Sequence, residues 1–336
     1  MKKVLLTSLS MAVVLAVLAA QAQAATTVAF WKFNKSSGTS VPDADSYVSP
    51  GGKNGPYDGT ASSSGLWDAP GSDQNPRDGG SNHMDFDGVN QVTFDTYGGT
   101  DGTTGGNDWG WATWGPEHTI EFSIFYPQGG FAAQQLNGTG SNNENGSVDL
   151  SSIQIYTSNQ IRSDTSIKGA FGNRSNYKGI YSDLFFDAAE TAGIVQGNTW
   201  VDVAFVNADA DPNRTKAYIN DVDVTSKTVQ DIIGGGDTSI IHSLRYFSSI
   251  PNNTESTPPI GGTGAPYTAI PGDYMLGARN LLRPLTGANA HGAGRFDEYR
   301  ISSGIVAFED LLMQPEPGTL SLMILGGALV LRRKRA

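Results

Sequence analysis

The 336-residue sequence contains no cysteine. This absence excludes disulfide bonds, thiol catalysis and zinc or iron–sulfur sites that depend on cysteine ligands. Charged residues make up only 16% of the chain, and 33 acidic residues face 22 basic ones, which gives a net charge of −11. A negative chain with so few basic residues is unsuited to binding the phosphates of a nucleic acid.

Helical periodicity is scarce, whereas turn-forming residues are abundant. The sequence has 42 glycines and 16 prolines, together 58 of its 336 residues. This composition argues against a helical bundle and favours many short strands joined by loops. Hydrophobic residues account for 38% of the chain, which is enough for the core of a β-sandwich.

The first residues have the pattern of a secretory signal peptide. Lys2 and Lys3 form a basic start, residues 4–20 are mostly apolar, and the Ala-Gln-Ala sequence that ends at Ala24 has the small-x-small form of a cleavage site. We therefore predict a signal helix that is removed between Ala24 and Ala25. A retained membrane anchor is the alternative, although the apolar run is short for a membrane span and contains hydroxyl residues.

The C-terminal residues have the order of a second targeting signal. Pro315, Glu316 and Pro317 precede an apolar stretch at residues 319–331. The basic cluster that follows consists of Arg332, Arg333, Lys334 and Arg335. An apolar segment that ends in basic residues can stop in a bilayer with its basic end in the cytoplasm, so we predict a transmembrane helix here.

This C-terminal order resembles the PEP-CTERM sorting signal of Gram-negative bacteria. The resemblance implies that an exosortase in the inner membrane cuts near the Pro-Glu-Pro sequence and releases the protein to the cell surface or the extracellular matrix. An ordinary C-terminal anchor is the alternative. It accounts for the apolar stretch and the arginines but not for the Pro-Glu-Pro sequence.

Residues 25–314 remain between these ends and are predicted to form one domain. Six basic residues and one acidic residue lie in the ends, so this body has a net charge of −16. No linker or internal repeat divides it, and we interpret the irregular stretches at residues 98–106, 129–146 and 251–272 as loops.

Apolar and polar residues alternate at several places in the body, as in strands with one buried face. Ile120, Phe122 and Ile124 share a face with Tyr126, and residues 200–206 alternate in the same way. Further strands are predicted at residues 27–33, 84–87, 92–95, 152–157, 215–220, 240–247, 274–277 and 296–301. Two helical turns are predicted at each of residues 187–194 and 306–313. Many short strands with turn signals between them indicate a sandwich or a jelly roll.

Several of these segments carry short motifs in a defined order. They are residues 29–33 (AFWKF), 43–46 (DADS), 84–88 (MDFDG), 200–206 (WVDVAFV), 217–221 (AYIND), 276–277 (LG) and 294–301 (GRFDEYRI). Their order resembles the laminin-G-like jelly rolls of the concanavalin A-like lectin/glucanase superfamily, with Asp221 in place of a glycine. The resemblance implies an all-β, two-sheet antiparallel jelly-roll β-sandwich. Residues 127–198 match no part of the pattern and are interpreted as a variable region.

Signatures of catalysis are missing from the sequence. Glycan hydrolysis needs two carboxylates across a cleft, which laminarinase-type members of this superfamily carry on one strand as Glu-x-Asp-x-x-Glu, a spacing that does not occur here. The histidines at positions 83, 118, 242 and 291 have no zinc-ligand spacing. We therefore predict a protein that is not an enzyme.

Calcium is the metal that the acidic segments suit best, because Ca²⁺ prefers carboxylate and carbonyl oxygens. The resemblance implies a structural calcium near the junction of the first and last strands, with Asp43, Asp45 and Asp297 as ligands. An Asp-rich turn without metal is the alternative. The Asp-x-Asp-x-Asn run at residues 209–213 lacks the glycine that an EF-hand loop needs next, so a polar hairpin turn is preferred there.

A tryptophan-rich stretch is the candidate sugar site. Trp109, Trp111 and Trp114 lie close to Asn107 and Asp108 in a Gly-rich segment. Exposed aromatic faces stack on sugars, while nearby amides and carboxylates bind the hydroxyl groups. The alternative is that these rings are buried at one end of the sandwich.

Together these features predict an exported, non-catalytic protein of the cell surface or extracellular matrix that binds an exopolysaccharide or another glycan. Signal peptidase and exosortase are the expected processing enzymes, and contact with the inner membrane through both ends is expected to be transient. Two alternatives stay open at this point. One is a structural matrix protein without a small ligand, and the other is a glycan-active hydrolase or lyase with an unfamiliar site.

Overall fold

The structure is a computed structural model of the 336-residue chain. It describes residues 25–35, 37–44, 56–67, 75, 82–94, 117–131, 150–156, 159–168, 177–208, 213–225, 228–230, 241–247, 274–277 and 293–314. Within these ranges most of the chain is β-strand, with a single short α-helix. The predicted signal and sorting segments lie outside them. Among the helices in the described ranges, none has the length and apolar character that a membrane crossing requires.

The described strands form three sheets. In chain order they are β1 (Thr26–Trp31), β2 (Ser40–Val41), β3 (Gly59–Ala61), β4 (Met84–Asp87), β5 (Val92–Phe94), β6 (Glu117–Tyr126), β7 (Leu150–Tyr156), β8 (Gln160–Lys168), β9 (Tyr177–Phe185), β10 (Thr199–Ala208), β11 (Lys216–Ile219), β12 (Val222–Asp223), β13 (Thr228–Gln230), β14 (His242–Phe247), β15 (Tyr274–Leu276) and β16 (Ala293–Ser303). Helix α1 (Phe186–Thr191) follows β9 directly.

The main sheet contains the three longest described strands, β6, β10 and β16, together with the first strand, β1. Its order is β1-β16-β6-β10-β11-β12, and β4 pairs with one end of β16. Its ladders are all antiparallel. The small sheet has the order β15-β5-β3-β2, and the hairpin sheet has the order β13-β14-β9-β8-β7. The fold is therefore all-β and sandwich-like, and its first and last strands are neighbours.

The inner face of the main sheet supplies a large share of the core, as the alternation of β6 and β10 predicts. Ile120, Phe122, Ile124 and Tyr126 are each at most 1% exposed. Their neighbours across the β6–β10 ladder, which include Val201, Val203 and Phe205, are buried on the same face. A strand buried on one face removes an alternate set of apolar side chains from water, and this burial is the main stabilising term of the fold.

Aromatic contacts join the three sheets into one core. Trp31 of the main sheet stacks on Phe94 of the small sheet, with 3.9 Å between ring centroids, and its indole N–H donates a hydrogen bond to the Tyr57 carbonyl at 2.9 Å. Tyr126 packs on Phe186 at 5.2 Å, next to the hairpin sheet. One continuous cluster of buried residues includes members of all three sheets.

Residues 127–198, which match no part of the laminin-G-like pattern, include β7, β8 and β9 of the hairpin sheet, and the strand predicted at residues 152–157 is confirmed as β7. The helical turns predicted at residues 187–194 are confirmed as α1, but residues 306–313 contain only a 3-10 turn at Phe308–Asp310. There the Leu312 amide, which a helix over these residues would pair internally, donates instead to the Glu121 carboxylate of the main sheet.

Candidate binding site

Most residues that the sequence points to lie outside the described ranges. These are the sugar-site residues Asn107, Asp108, Trp109, Trp111 and Trp114, the calcium candidate Asp45, and the processing residues Ala24, Pro315, Glu316, Pro317, Arg332, Arg333 and Arg335. Their assigned roles therefore stay predictions. Ala25, the predicted first residue of the mature chain, is described and directly precedes β1.

Asp43, one of the calcium candidates, has a structural role in the fold. Its two carboxylate oxygens accept hydrogen bonds from the backbone N–H groups of Phe30 at 2.8 Å and Tyr57 at 2.9 Å. Its own amide donates to the Asp58 carboxylate at 2.9 Å. The Asp43 carboxylate thus ties strand β1 to the segment that leads into β3.

Asp297, the other described candidate, is fully buried in β16 and lies opposite Ser123 of β6. The β16–β6 register shifts between Asp297 and Tyr299, and Glu298 between them has a φ of 49°. This bulge lets both Phe296 and Tyr299 reach the core, where each ring packs on Phe122. In the described part of the chain, no group of three or more His, Asp or Glu side chains is placed to hold a metal ion, and the calcium site stays a prediction.

The outer face of the main sheet, opposite the core, carries a row of contacting side chains. Asp85 of β4 pairs with Arg295 of β16 across their ladder, and the two side chains approach to 3.4 Å between Oδ2 and Nε. The Arg295 guanidinium lies 4.9 Å from the ring centroid of Phe125 on β6. Phe125 pairs in turn with Trp200 of β10, and their rings meet edge to face at 5.7 Å.

A second row of residues supports the first. Asp297 pairs with Ser123, and Ser123 pairs with Asp202 on the next strand. The Ser123 hydroxyl donates a hydrogen bond to the Asp202 carboxylate, and the Asp202 amide donates to the Asn220 side chain at 2.9 Å. These contacts fix Asp202 beside Trp200, two residues earlier on the same face of β10.

The edge of the Trp200 ring is held from a second direction. The buried ring of His83 lies 5.1 Å from Trp200, again edge to face. Trp200 and Phe125 nevertheless stay half-buried rather than fully buried. We call Asp85, Phe125, Trp200, Asp202 and Arg295 the outer aromatic site. It consists of aromatic surface framed by charged side chains, all placed on rigid strands.

The rest of the outer face lies under the C-terminal strap, residues 305–314. The Thr119 hydroxyl accepts the Val306 amide at 3.1 Å, and the Glu121 carboxylate accepts the Leu312 amide at 2.6 Å. Apolar side chains of the strap pack on Ala204, Val206 and Tyr218 of the sheet. The strap thus covers the half of this face that lies away from Trp200.

The sequence analysis does not predict the outer aromatic site, although the sequence contains a local signal for it. Along β6, Phe125 alternates with the core residues and shares a face with Glu121 and Ser123. Along β10, Trp200 lies on the face that Val201 and Val203 do not use. A large aromatic residue in the phase opposite the core residues of an alternating strand lies on the outer face of the sheet. Two such residues on different strands mark an aromatic surface patch.

Comparisons with known proteins place the chain in no family. No protein-family model matches it, and no curated protein sequence matches it. Domain 4 of AbnA, a GH43 extracellular arabinanase from Geobacillus stearothermophilus, solved with arabinotriose, is 14% identical over 87% of this chain and all of that one, with a TM-score of 0.38.

Two further solved structures are similar at the same level. Trypanosoma rangeli sialidase in complex with sialic acid is 11% identical over 85% of this chain and 32% of that one, with a TM-score of 0.37. The CBM40 of Ruminococcus gnavus IT-sialidase bound to α2,3-sialyllactose is 12% identical over 58% of this chain and 80% of that one, with a TM-score of 0.28. The function of the outer aromatic site is therefore interpreted from its own geometry.

Proposed function

We propose that the protein is an exported, non-catalytic component of the cell surface or extracellular matrix that binds a polysaccharide through the outer aromatic site. The observation that carries the proposal is the half-buried Trp200–Phe125 pair on the solvent face of the main sheet. Export and sorting are inferred from the two chain ends, and the glycan from the chemistry of the site.

The chemistry of the site suits a sugar better than a purely apolar ligand. The flat C–H face of a sugar ring stacks on an aromatic ring, and its hydroxyl groups project sideways toward hydrogen-bonding groups. Asp202 lies on the same strand face as Trp200, and Arg295 and Asp85 lie beyond Phe125 in the same row. The outer aromatic site therefore combines aromatic surface with polar groups at its edge.

The site is also preorganised and long. Each of its side chains belongs to a strand of the main sheet, and Trp200, Asp202 and Arg295 are each held by a neighbour. Because these side chains are already fixed, they lose little conformational freedom when a ligand binds. The row crosses four neighbouring strands, a span of about 14 Å at the usual strand spacing. This length favours a segment of a polymer over a single monosaccharide.

Removing the Trp200 ring tests the proposal. We expect Trp200→Ala to weaken binding by about 1.4 kcal/mol or more, which is at least about tenfold in Kd, because a buried aromatic anchor carries a large share of the binding energy. Isothermal titration calorimetry against a panel of polysaccharides would measure this loss. Thermal melting of each variant would show that it is folded.

Phe308→Ala is the matched control variant. Phe308 is also an aromatic residue on the outer face, 38% exposed, but it lies on the C-terminal strap against Tyr218. Its removal is expected to leave polysaccharide binding unchanged. If Trp200→Ala binds as tightly as the unchanged protein, the outer aromatic site is not the binding site. If the unchanged protein binds no glycan at all, a structural role in the matrix becomes the better explanation.

A further inference from the structure

The charges around the aromatic pair restrict the class of glycan that the outer aromatic site can accept. Among the described residues of the site, Asp85 and Asp202 are acidic and Arg295 is the basic partner. Asp297, which pairs with Ser123 across the β16–β6 ladder, is fully buried and is not part of the site. The site is thus acidic overall, and the body around it has a net charge of −16.

The arginine of the site is already engaged by protein groups. Its guanidinium approaches the Asp85 carboxylate to 3.4 Å and lies over the Phe125 ring at 4.9 Å. Arg300, further along the outer face, is held by Glu121 and by the Asp310 carbonyl. Recognition of a carboxylate or sulfate group normally uses a guanidinium fork that faces the ligand. In the described residues of the outer face, both guanidinium groups face protein partners instead.

A neutral sugar fits this arrangement better than an acidic one. Hydroxyl groups of a neutral sugar can donate hydrogen bonds to the carboxylates of Asp85 and Asp202, and bonds to ionised acceptors are stronger than neutral ones. A carboxylate of a uronic acid in the same position would meet like charges in a partly desolvated place, which discriminates against the anionic ligand.

We infer that the outer aromatic site selects uncharged polysaccharides and rejects polyanionic ones, with Asp202 as the residue that sets this discrimination. The inference rests on the proposed function, because it concerns the same site. Asp202 is assigned this role because it lies beside Trp200 and its position is fixed by Ser123 and Asn220. A sugar stacked on Trp200 therefore has the Asp202 carboxylate at its edge.

The test compares each neutral polymer with its own carboxymethylated derivative, so that only the charge of the ligand changes. Glucan, xylan, mannan and arabinan, each with its derivative, would be titrated into the mature protein at low salt, about 50 mM. We expect the neutral form of the bound polymer to bind at least about tenfold more tightly than its derivative. At about 500 mM salt, where exposed charges are screened, this ratio is expected to shrink.

Asp202→Asn keeps the size of the side chain and removes its charge. It is expected to lower the neutral-to-anionic affinity ratio several-fold at low salt, because one repulsive charge is gone. Asp223→Asn is the control, since it removes one exposed negative charge on β12, two strands from β10, and it should leave the ratio unchanged.

The outcomes separate the inference from the proposed function. If the carboxymethylated polymer binds as tightly as the neutral one and Trp200→Ala abolishes both, the proposed function stands and the inference is wrong. If Asp202→Asn lowers both affinities equally, or if Asp223→Asn changes the ratio as much, the assignment to Asp202 is wrong. If neither form binds the unchanged protein, the proposed function itself is wrong.

Discussion

Replacing Glu121 by alanine is expected to lower the free energy of unfolding by about 3–5 kcal/mol, because it leaves a largely buried charge without its partner. The Glu121 side chain is 1% exposed and that of Arg300 is 16% exposed, with 2.6 Å between Oε2 and the nearest guanidinium nitrogen. The other carboxylate oxygen accepts the Leu312 amide of the C-terminal strap. Glu121 therefore holds both the last strand and the strap on the main sheet.

Strand β6 provides a matched control for this effect. Glu117, four residues earlier, also approaches an arginine at 2.6 Å, but the side chains of Glu117 and Arg214 are 37% and 52% exposed. Glu117→Ala is therefore expected to cost less than about 1 kcal/mol, as solvent-exposed ion pairs usually do. Urea unfolding of both variants would compare them directly, and equal losses would show that burial of the pair does not matter.

A double replacement separates the charge effect from the packing effect. Glu121→Leu combined with Arg300→Met removes both charges and keeps apolar volume, so it is expected to recover part of the stability that Glu121→Ala loses. Hydrogen exchange adds a local readout, since the Leu312 amide loses its acceptor in Glu121→Ala. Exchange at Leu312 that is as slow as in the unchanged protein would contradict the described role of Glu121.

Acidification is expected to destabilise the protein through His242. This side chain is 0% exposed on β14, and its Nε2 lies 3.4 Å from the Ser182 hydroxyl. Burial lowers the pKa of His242 to about 4, although the nearby Asp223 charge acts in the opposite direction. An unfolded histidine has a pKa of about 6.5, so between about pH 6.5 and 4 the unfolded chain binds the proton more tightly.

The contribution of His242 is therefore complete above pH 6.5 and is lost as the pH falls toward 4. A difference of this size corresponds to a loss on the order of 3 kcal/mol at the acidic end. Unfolding free energies measured by urea at a series of pH values would show it. His242→Gln should flatten the curve between pH 6.5 and 4, and an unchanged slope in that variant would contradict the assignment to His242.

The central strands β6 and β10 of the main sheet could be predicted because apolar residues alternate along them, although β6 is buried on both faces. In β6 and β10 the apolar residues recur at every second position, so both the strands and their inner faces follow from the sequence. In the hairpin sheet, β7 and β14 are predicted at residues 152–157 and 240–247, but β8 could not be predicted in the same way. Of its nine residues only Ile161 and Ile167 are apolar, so no alternation of apolar and polar residues marks the strand. Strand β8 is instead defined by its backbone pairing with β7 and β9.

The outer aromatic site depends on register as well as on pattern. The phase of Phe125 and Trp200 can be read from each strand alone, but their contact exists because the β6–β10 ladder places them opposite each other. Arg295 reaches Phe125 because β16 pairs with the other edge of β6. Pairing partners between distant segments are set by tertiary packing, which a local sequence pattern does not contain.

The indole N–H spectrum of the ¹⁵N-labelled mature protein tests the central claim most directly. The chain has six tryptophans. Trp31 and Trp67 serve as internal references, because their indole N–H groups donate to the Tyr57 and Gly38 carbonyls at 2.9 and 2.8 Å. A Trp200→Phe spectrum would assign the signal of Trp200.

Adding a saturating neutral oligosaccharide is predicted to shift the Trp200 signal and to leave those of Trp31 and Trp67 in place. This result would locate the glycan on the outer face of the main sheet. Shifts confined to the signals of Trp109, Trp111 and Trp114, with Trp200 unchanged, would contradict the assignment to the outer aromatic site and would favour the tryptophan-rich stretch that the sequence predicts.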